Sequence, residues 1–245
     1  MNNTLHTGFR ILEFLAESGD ALSVKEIAEY FQLPNSHICR LLKSLTELGY
    51  AEQLPGSRKY RVSLKILTLA SARLGKDRLL TLVRPYMRQL AEKFDTTVFL
   101  TRIYCGYSLI IAVEYPAFAS HGSEVVIGAL HSPTDSACGQ VCAAFSPEER
   151  RKELLDKVDW NAPGDFQNQR EIFEEELLMI RRRGWAMRNI PTVGAVAVPL
   201  FGKGEVIIGA LGMMLSPGRL DNEEEKRSII ESAAACGRLI SIATK

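Results

Sequence analysis

The sequence predicts an α+β chain in three parts. Residues 1–63 read as a winged helix-turn-helix, residues 64–78 as a linker helix, and residues 79–245 as a domain with a mainly antiparallel sheet. Three observations carry this. Between residues 5 and 63, amphipathic helical segments lead directly into a basic strand–turn–strand. Beyond residue 97, strand-like stretches joined by tight turns alternate with helical runs, the pattern of a sheet with helices packed on its faces. The chain's 245 residues exceed what one modest domain needs.

Residues 5–18 place Phe9, Leu12 and Leu15 at helical spacing, with Ile11 and Phe14 widening the apolar face. Gly19 and Asp20 stop that helix. Ser23 precedes Glu26 by three residues, the spacing of a capping box, and so starts a second helix through Ile27 and Tyr30. Pro34 suits the first turn of a third. There Ile38, Leu41, Leu42, Leu45 and Leu48 form one buried stripe, and Gly49 ends it. Residues 50–54 and 59–63 have strand composition around the turn Pro55-Gly56-Ser57.

Leu64, Leu67, Ser71 and Leu74 give the linker a helical register. A further helix over residues 79–94 turns Leu82, Val83, Tyr86, Leu90 and Phe94 inward, with Pro85 marking its first turn or a kink. Residues 97–104 and 107–115 form a hairpin about Cys105-Gly106, and 124–129 a short strand. Helices follow at 135–145, 147–158 and 168–183, the last ending at Gly184. Strands follow at 185–189, 193–200 and 205–215, with a turn at 202–204. Asp221 caps a C-terminal helix with acids in its first turn.

Net charge is +1, so a nucleic-acid surface would have to come from local clustering. The five cysteines include no C-x-x-C pair; with no secretory signal pattern, this indicates free thiols in a reducing cytoplasm. No apolar run approaches the ~20 residues that span a bilayer, so no membrane partner is expected. G-x-S-x-G, P-loop, H-E-x-x-H and G-x-G-x-x-G patterns are all missing. Cys138 with His131 is the one nucleophile–base candidate, without an evident orienting group. Cys138 and Cys142, one helical turn apart, read as small core residues, and His121 and His131 make no metal site. No catalytic residue, metal or cofactor is expected.

The third helix has a second face. Asn35, Ser36 and His37 open it, and Arg40, Lys43 and Ser44 follow. Recognition helices present such N-terminal residues to base edges, where Asn and Arg make bidentate contacts. Arg58, Lys59 and Arg61 flank the hairpin turn, placed to lie along phosphates. A solvated polar face would explain one helix alone. Three helices, a glycine stop and a basic hairpin in that order indicate double-stranded DNA.

The stretch from Leu33 to Tyr50, LPNSHICRLLKSLTELGY, resembles the recognition helix of the IclR family of bacterial transcriptional regulators through Leu33, Pro34, Ser36, Arg40, Leu41, Leu42, Leu45, Gly49 and Tyr50. His37 and Asn35 depart from the commoner Thr and Lys. LHSPTDSACGQVCAAFSPEER and VAVPLFGKGEVIIGALGMMLSPGRLD extend the resemblance over nearly the whole chain. It implies a GAF-like effector domain, a homodimer or dimer of dimers, and a small organic or aromatic acid as effector. In that alignment Ala137, Cys138, Val193, Ala195, Gly212 and Met214 fall at ligand-contacting positions. The chain departs from the family in an insertion at 132–135 and in a shortened 184–195 segment, where Arg188 or Asn189 replaces a frequent acid. Gly212 and Met214 stand where two serines are usual.

The mostly apolar set suits a ligand with a sizeable apolar part, its carboxylate at the helix start near Ser136 and paired by Arg188. Simple packing of Ala137, Val193 and Ala195, with a solvated Arg188, is an equal reading. The expected function is that of an effector-controlled DNA-binding regulator, a repressor. The alternatives are a DNA-binding oligomer without effector, and an enzyme domain fused to a DNA-binding head.

Overall fold

The computed structural model describes residues 3–117, 125–162 and 166–244. The chain divides into two compact units, Met1–Asp77 and Arg78–Lys245.

The first unit runs α1 (Asn3–Glu17), β1 (Leu22–Ser23), α2 (Val24–Phe31), α3 (Asn35–Glu47), β2 (Ala51–Gln53), β3 (Lys59–Val62) and α4 (Ile66–Leu74). Its core joins Ile11, Leu12 and Leu15 of α1, Ile27 and Ala28 of α2, and Ile38, Leu41 and Leu42 of α3. The capping box is complete. The Glu26 N–H donates to Ser23 Oγ at 3.3 Å, and the Ser23 N–H donates to Glu26 Oε2 at 2.6 Å. Gln32 ends α2 in the left-handed region, with φ 54°.

Two expectations need correction here, and one strand was missed. Pro34 has ψ 140° and stands as the N-cap of α3, outside the helix. Leu48 is 58% exposed, because the stripe drifts off the core by the last turn. β1 was too short to be read from sequence; it adds to β3 through Leu22–Tyr60 and Ser23–Lys59, giving a three-stranded wing in the order β1-β3-β2. Gly49, at φ +79°, turns the chain from α3 into β2.

The second unit comprises α5 (Arg78–Phe94), β4 (Thr97–Tyr104), β5 (Tyr107–Glu114), β6 (Leu130–His131), α6 (Ala137–Phe145), α7 (Glu148–Leu155), α8 (Arg170–Arg183), β7 (Ala186–Ile190), β8 (Val193–Phe201), β9 (Ile207–Leu215) and α9 (Glu223–Ala243). The six strands pair antiparallel in the order β6-β5-β4-β9-β8-β7. Alternation along the strands sends Phe99, Ala197 and Ala210 into one core with Cys138 and Val141 of α6 and Phe173, Leu177 and Ile180 of α8. Val198 faces the other way. A Cβ on Gly237 of α9 would stand 3.0 Å from it, so the missing side chain lets α9 lie close on that face. Ser241 Oγ of α9 accepts the Phe201 N–H at 3.0 Å.

The helix over 79–94 is present, but its deepest residues are Val83, Met87 and Ala91; Leu82 and Tyr86 are half-buried. Pro85 lies inside α5 rather than in its first turn. The strand expected at 124–129 is not formed over 125–129; the chain turns there and pairs only at Leu130–His131, while Glu124 lies outside the described residues. Asn222, not Asp221, caps α9: its side chain accepts the Glu225 N–H at 3.0 Å. Asp221 instead accepts from Asn189 Nδ2 at 2.8 Å.

Candidate nucleic-acid surface and effector region

Burial of Ile38, Leu41 and Leu42 fixes the rotation of α3. With 3.6 residues per turn, Ser36, Arg40, Lys43 and Glu47 then share the opposite face. Asn35, Ser36, Arg40, Lys43 and Ser44 are exposed, and His37 is half-buried. Arg40 Nη2 lies 3.0 Å from His37 Nδ1, which accepts when the imidazole is neutral. Ser44 Oγ donates to the Arg40 carbonyl at 3.2 Å, and Lys43 faces Glu47 at 3.9 Å. Cys39 is also exposed on this helix.

The wing brings more charge, but not all of it uncommitted. Arg58 is exposed beside the turn. Arg61 Nε donates to Glu52 at 2.6 Å, and Lys59 lies 4.0 Å from Glu26. Glu26 itself is held below the usual carboxylate range by the backbone and hydroxyl hydrogen bonds of Ser23, with help from Lys59. Sequence reasoning missed these pairs because Glu52 meets Arg61 only through β2–β3 pairing and Glu26 reaches Lys59 from α2. Such exposed pairs are worth roughly 0–1 kcal/mol, so a phosphate can compete for the same cations.

The effector set splits into a buried and an open part. Ser136 caps α6, its Oγ accepting the Gly139 N–H at 2.9 Å, so the helix already satisfies one of its own first-turn donors. Ala137 is 3% and Cys138 2% exposed. Across from them, a Cβ on Gly212 would stand 2.5 Å from the Phe99 ring and 2.7 Å from Cys138 Sγ. Phe99 and Cys138 therefore occupy the volume that a side chain at 212 would need. Phe99 is the residue sequence reasoning overlooked: it pairs with Gly212 across β4 and β9. Val193, Ala195, Met214 and Arg188 are half-buried on the same face. Arg188 is opposite Ala195 in register, and its Nη1 donates to the Asp135 carbonyl. His131 is pushed down by burial and by Arg188, which outweigh the pull of Asp135.

Nothing here favours nucleophilic chemistry. Burial pushes the Cys138 thiol up and raises Cys142 to about 12, despite a hydrogen bond with Thr101. Thiols held that high are not thiolates at neutral pH. Among the described residues no three His, Cys, Asp or Glu side chains are grouped to hold a metal ion. His121 lies outside the described residues. No described helix is long and apolar enough to cross a membrane.

Residues 4–55 match the IclR helix-turn-helix domain, and residues 71–242 match the C-terminal domain of the bacterial transcriptional regulator IclR. The glycerol operon regulatory protein of Streptomyces griseus is 26% identical over 245 residues, covering 96% of this chain and 95% of its own. An IclR-family regulator from Brucella abortus has the same fold, with TM-score 0.84 at 23% identity, over 100% of this chain and 93% of its own. An IclR homologue from Microbacterium hydrocarbonoxydans, solved in complex with 4-hydroxybenzoate, superposes with TM-score 0.73 at 20% identity, over 97% of this chain and 100% of its own.

Proposed function

The chain belongs to the IclR family of bacterial transcriptional regulators, and we propose that it is a cytoplasmic repressor whose grip on operator DNA is set by a small organic or aromatic acid. The observation that carries the DNA half is α3. Its apolar side is spent on the core, which leaves Ser36, Arg40 and Lys43 aligned outward beside Asn35, His37 and Ser44. The helix enters the major groove with this edge, and Arg58, Lys59 and Arg61 track the backbone.

Three things support the effector half. A homologue of the same fold was solved with 4-hydroxybenzoate. Arg188 brings a guanidinium to the open part of the set, beside Val193, Ala195 and Met214. Because Phe99 and Cys138 fill the space over Gly212, the ligand rests on this outer rim and is small. Ala137, Cys138 and Gly212 then shape the floor through packing rather than polar contact.

Regulation follows if the ligand binds one arrangement of an oligomer better than another. We place one contact between copies on α4 within the linker at 64–78: α4 buries none of its residues, and Leu67 and Leu69 are more than half exposed. Two-fold half-sites call for a dimer of reading heads.

Fluorescence anisotropy of the chain's own upstream DNA, with and without a panel of aromatic and short aliphatic acids, tests both halves. Expected are sequence-selective binding lost in Arg40→Ala and a shift in affinity with one acid, lost in Arg188→Ala. DNA binding that no acid alters would favour the reading of an oligomer without an effector. Binding as tight and as selective in Arg40→Ala as in the parent would mean that α3 does not face the DNA.

A further inference from the structure

A second cleft lies on the other side of the segment that holds Arg188. It has a volume of about 240 Å³ and is enclosed by the β4–β5 turn, residues 132–135 and the C-terminal end of α7 with the chain beyond it. None of Ala137, Cys138, Arg188, Val193, Ala195, Gly212 or Met214 lines it. Drug-sized ligands occupy roughly 300–1,000 Å³, so this space suits a small metabolite.

Its chemistry is of three kinds. The floor is apolar: Leu154, Val158 and Pro133. Leu154 is 6% exposed and rests on the turn at Gly106, where a Cβ would stand 2.2 Å from Leu154 Cδ2. Lys157 supplies a cation, exposed and without an ion-pair partner among the described residues. Asp135 and Asp159 supply two anions. Each accepts one short-range hydrogen bond, Asp135 from Thr134 Oγ1 at 3.1 Å and Asp159 from the Asn161 N–H at 3.0 Å. Neither carboxylate forms an ion pair with Lys157.

A monoanion meets Lys157 but is repelled by two carboxylates. A simple amine meets the carboxylates and wastes Lys157. A molecule carrying both charges at one end of a short apolar body satisfies all three features. We propose that this cleft binds a zwitterionic α-amino acid with a small aliphatic side chain, its ammonium between Asp135 and Asp159, its carboxylate at Lys157 and its side chain on Leu154 and Val158.

The cleft has a built-in route to the rest of the unit. Asp135 lines the cleft, and its backbone carbonyl accepts from Arg188. The preceding residues are stiffened by the Ser132–Thr134 hydroxyl pair at 2.7 Å, and the Ser132 carbonyl abuts Gly139 of α6, where a Cβ would stand 2.3 Å from it. Occupancy of the cleft therefore bears on the start of α6 and on the guanidinium that faces the acid site.

Calorimetric titration of the full chain with L-leucine, 4-methylpentanoate and 3-methylbutylamine separates the three cases. L-Leucine is expected to bind at least tenfold more tightly than either single-charge analogue. Lys157→Ala and Asp159→Asn should each weaken it by about tenfold. Failure of L-leucine to bind, or binding no tighter than its analogues, overturns the proposal. So does indifference to Lys157→Ala and Asp159→Asn. Because Lys157 and Asp159 line this cleft and neither belongs to the set around Arg188, either site can fail without the other.

Discussion

Gly212→Ala probes the packing that closes the effector region. The added methyl would sit 2.5 Å from two ring carbons of Phe99 and 2.7 Å from Cys138 Sγ. Carbon–carbon contacts are comfortable at roughly 3.5–4.0 Å, so the neighbours must retreat by about 1 Å. Neither has an easy way out. Phe99 is 7% and Cys138 2% exposed, and α6 is pinned at Gly139 against the Ser132 carbonyl. Overpacking of this kind costs about 1–3 kcal/mol. Urea denaturation followed by tryptophan fluorescence reads the cost in the right place, because both tryptophans, Trp160 and Trp185, belong to the second unit. Cys138→Ala in the same background should return part of the loss, with a coupling of about 0.5 kcal/mol or more between two residues in contact. A Gly212→Ala protein as stable as the parent, or strictly additive effects, would show that Phe99 and Cys138 do not fill this space.

Other outcomes follow from the same contacts. Arg40→Ala should lower operator affinity by about 1–3 kcal/mol and relax base preference if it reads a base, with thermal stability unchanged because the side chain is exposed. Lys43→Ala should instead weaken all sequences alike and reduce the salt slope by about 1, as a phosphate contact does. Ser23→Ala removes half of the capping box and should cost about 1 kcal/mol in the first unit, seen as a lower Tm by circular dichroism. His131 titrates below its ordinary value in the folded chain, so its contribution to stability is complete above about pH 6.5 and is lost as pH falls through the folded pKa. His131→Gln should flatten that acid-side slope in denaturation midpoints taken from pH 7 to pH 5; an unchanged slope would mean that His131 is not the group responsible.

The readable parts of this protein are those with a local cause. Ser23 and Glu26 are three residues apart, so their capping box could be named before any fold was known, and it is present. Gly49, Gly106 and Gly184 all adopt positive φ where turns or helix stops were expected. The stripe Ile38–Leu41–Leu42 gave the rotation of α3, and with it the outward set around Arg40. Misreadings fell where a local pattern had two solutions. Asp221 and Asn222 are both good caps, and only Asn222 meets the Glu225 N–H, because Asp221 is held by Asn189 of β7. Residues 125–129 have strand composition, but the chain turns there, the Ala129 N–H bonding back to the Val126 carbonyl, and meets Ile110 of β5 through Gly128 and Ala129 without extending the strand.

Periodicity and turn chemistry act over a few residues, so the sequence by itself determined the winged helix-turn-helix, most of the helices and strands, and which side of α3 faces outward. The tertiary structure decided how the candidate effector positions pack. Whether Gly212 opens a cavity or seats a neighbour depends on Phe99 and Cys138, which reach it only through β4–β9 pairing and the packing of α6 on the sheet. Likewise, Asp135 and Arg188 are 53 residues apart and share a hydrogen bond only once the edge strand β7 has been laid against β8. Contacts between distant segments have no period to announce them, and the packing around Gly212 and Arg188 rests on such contacts.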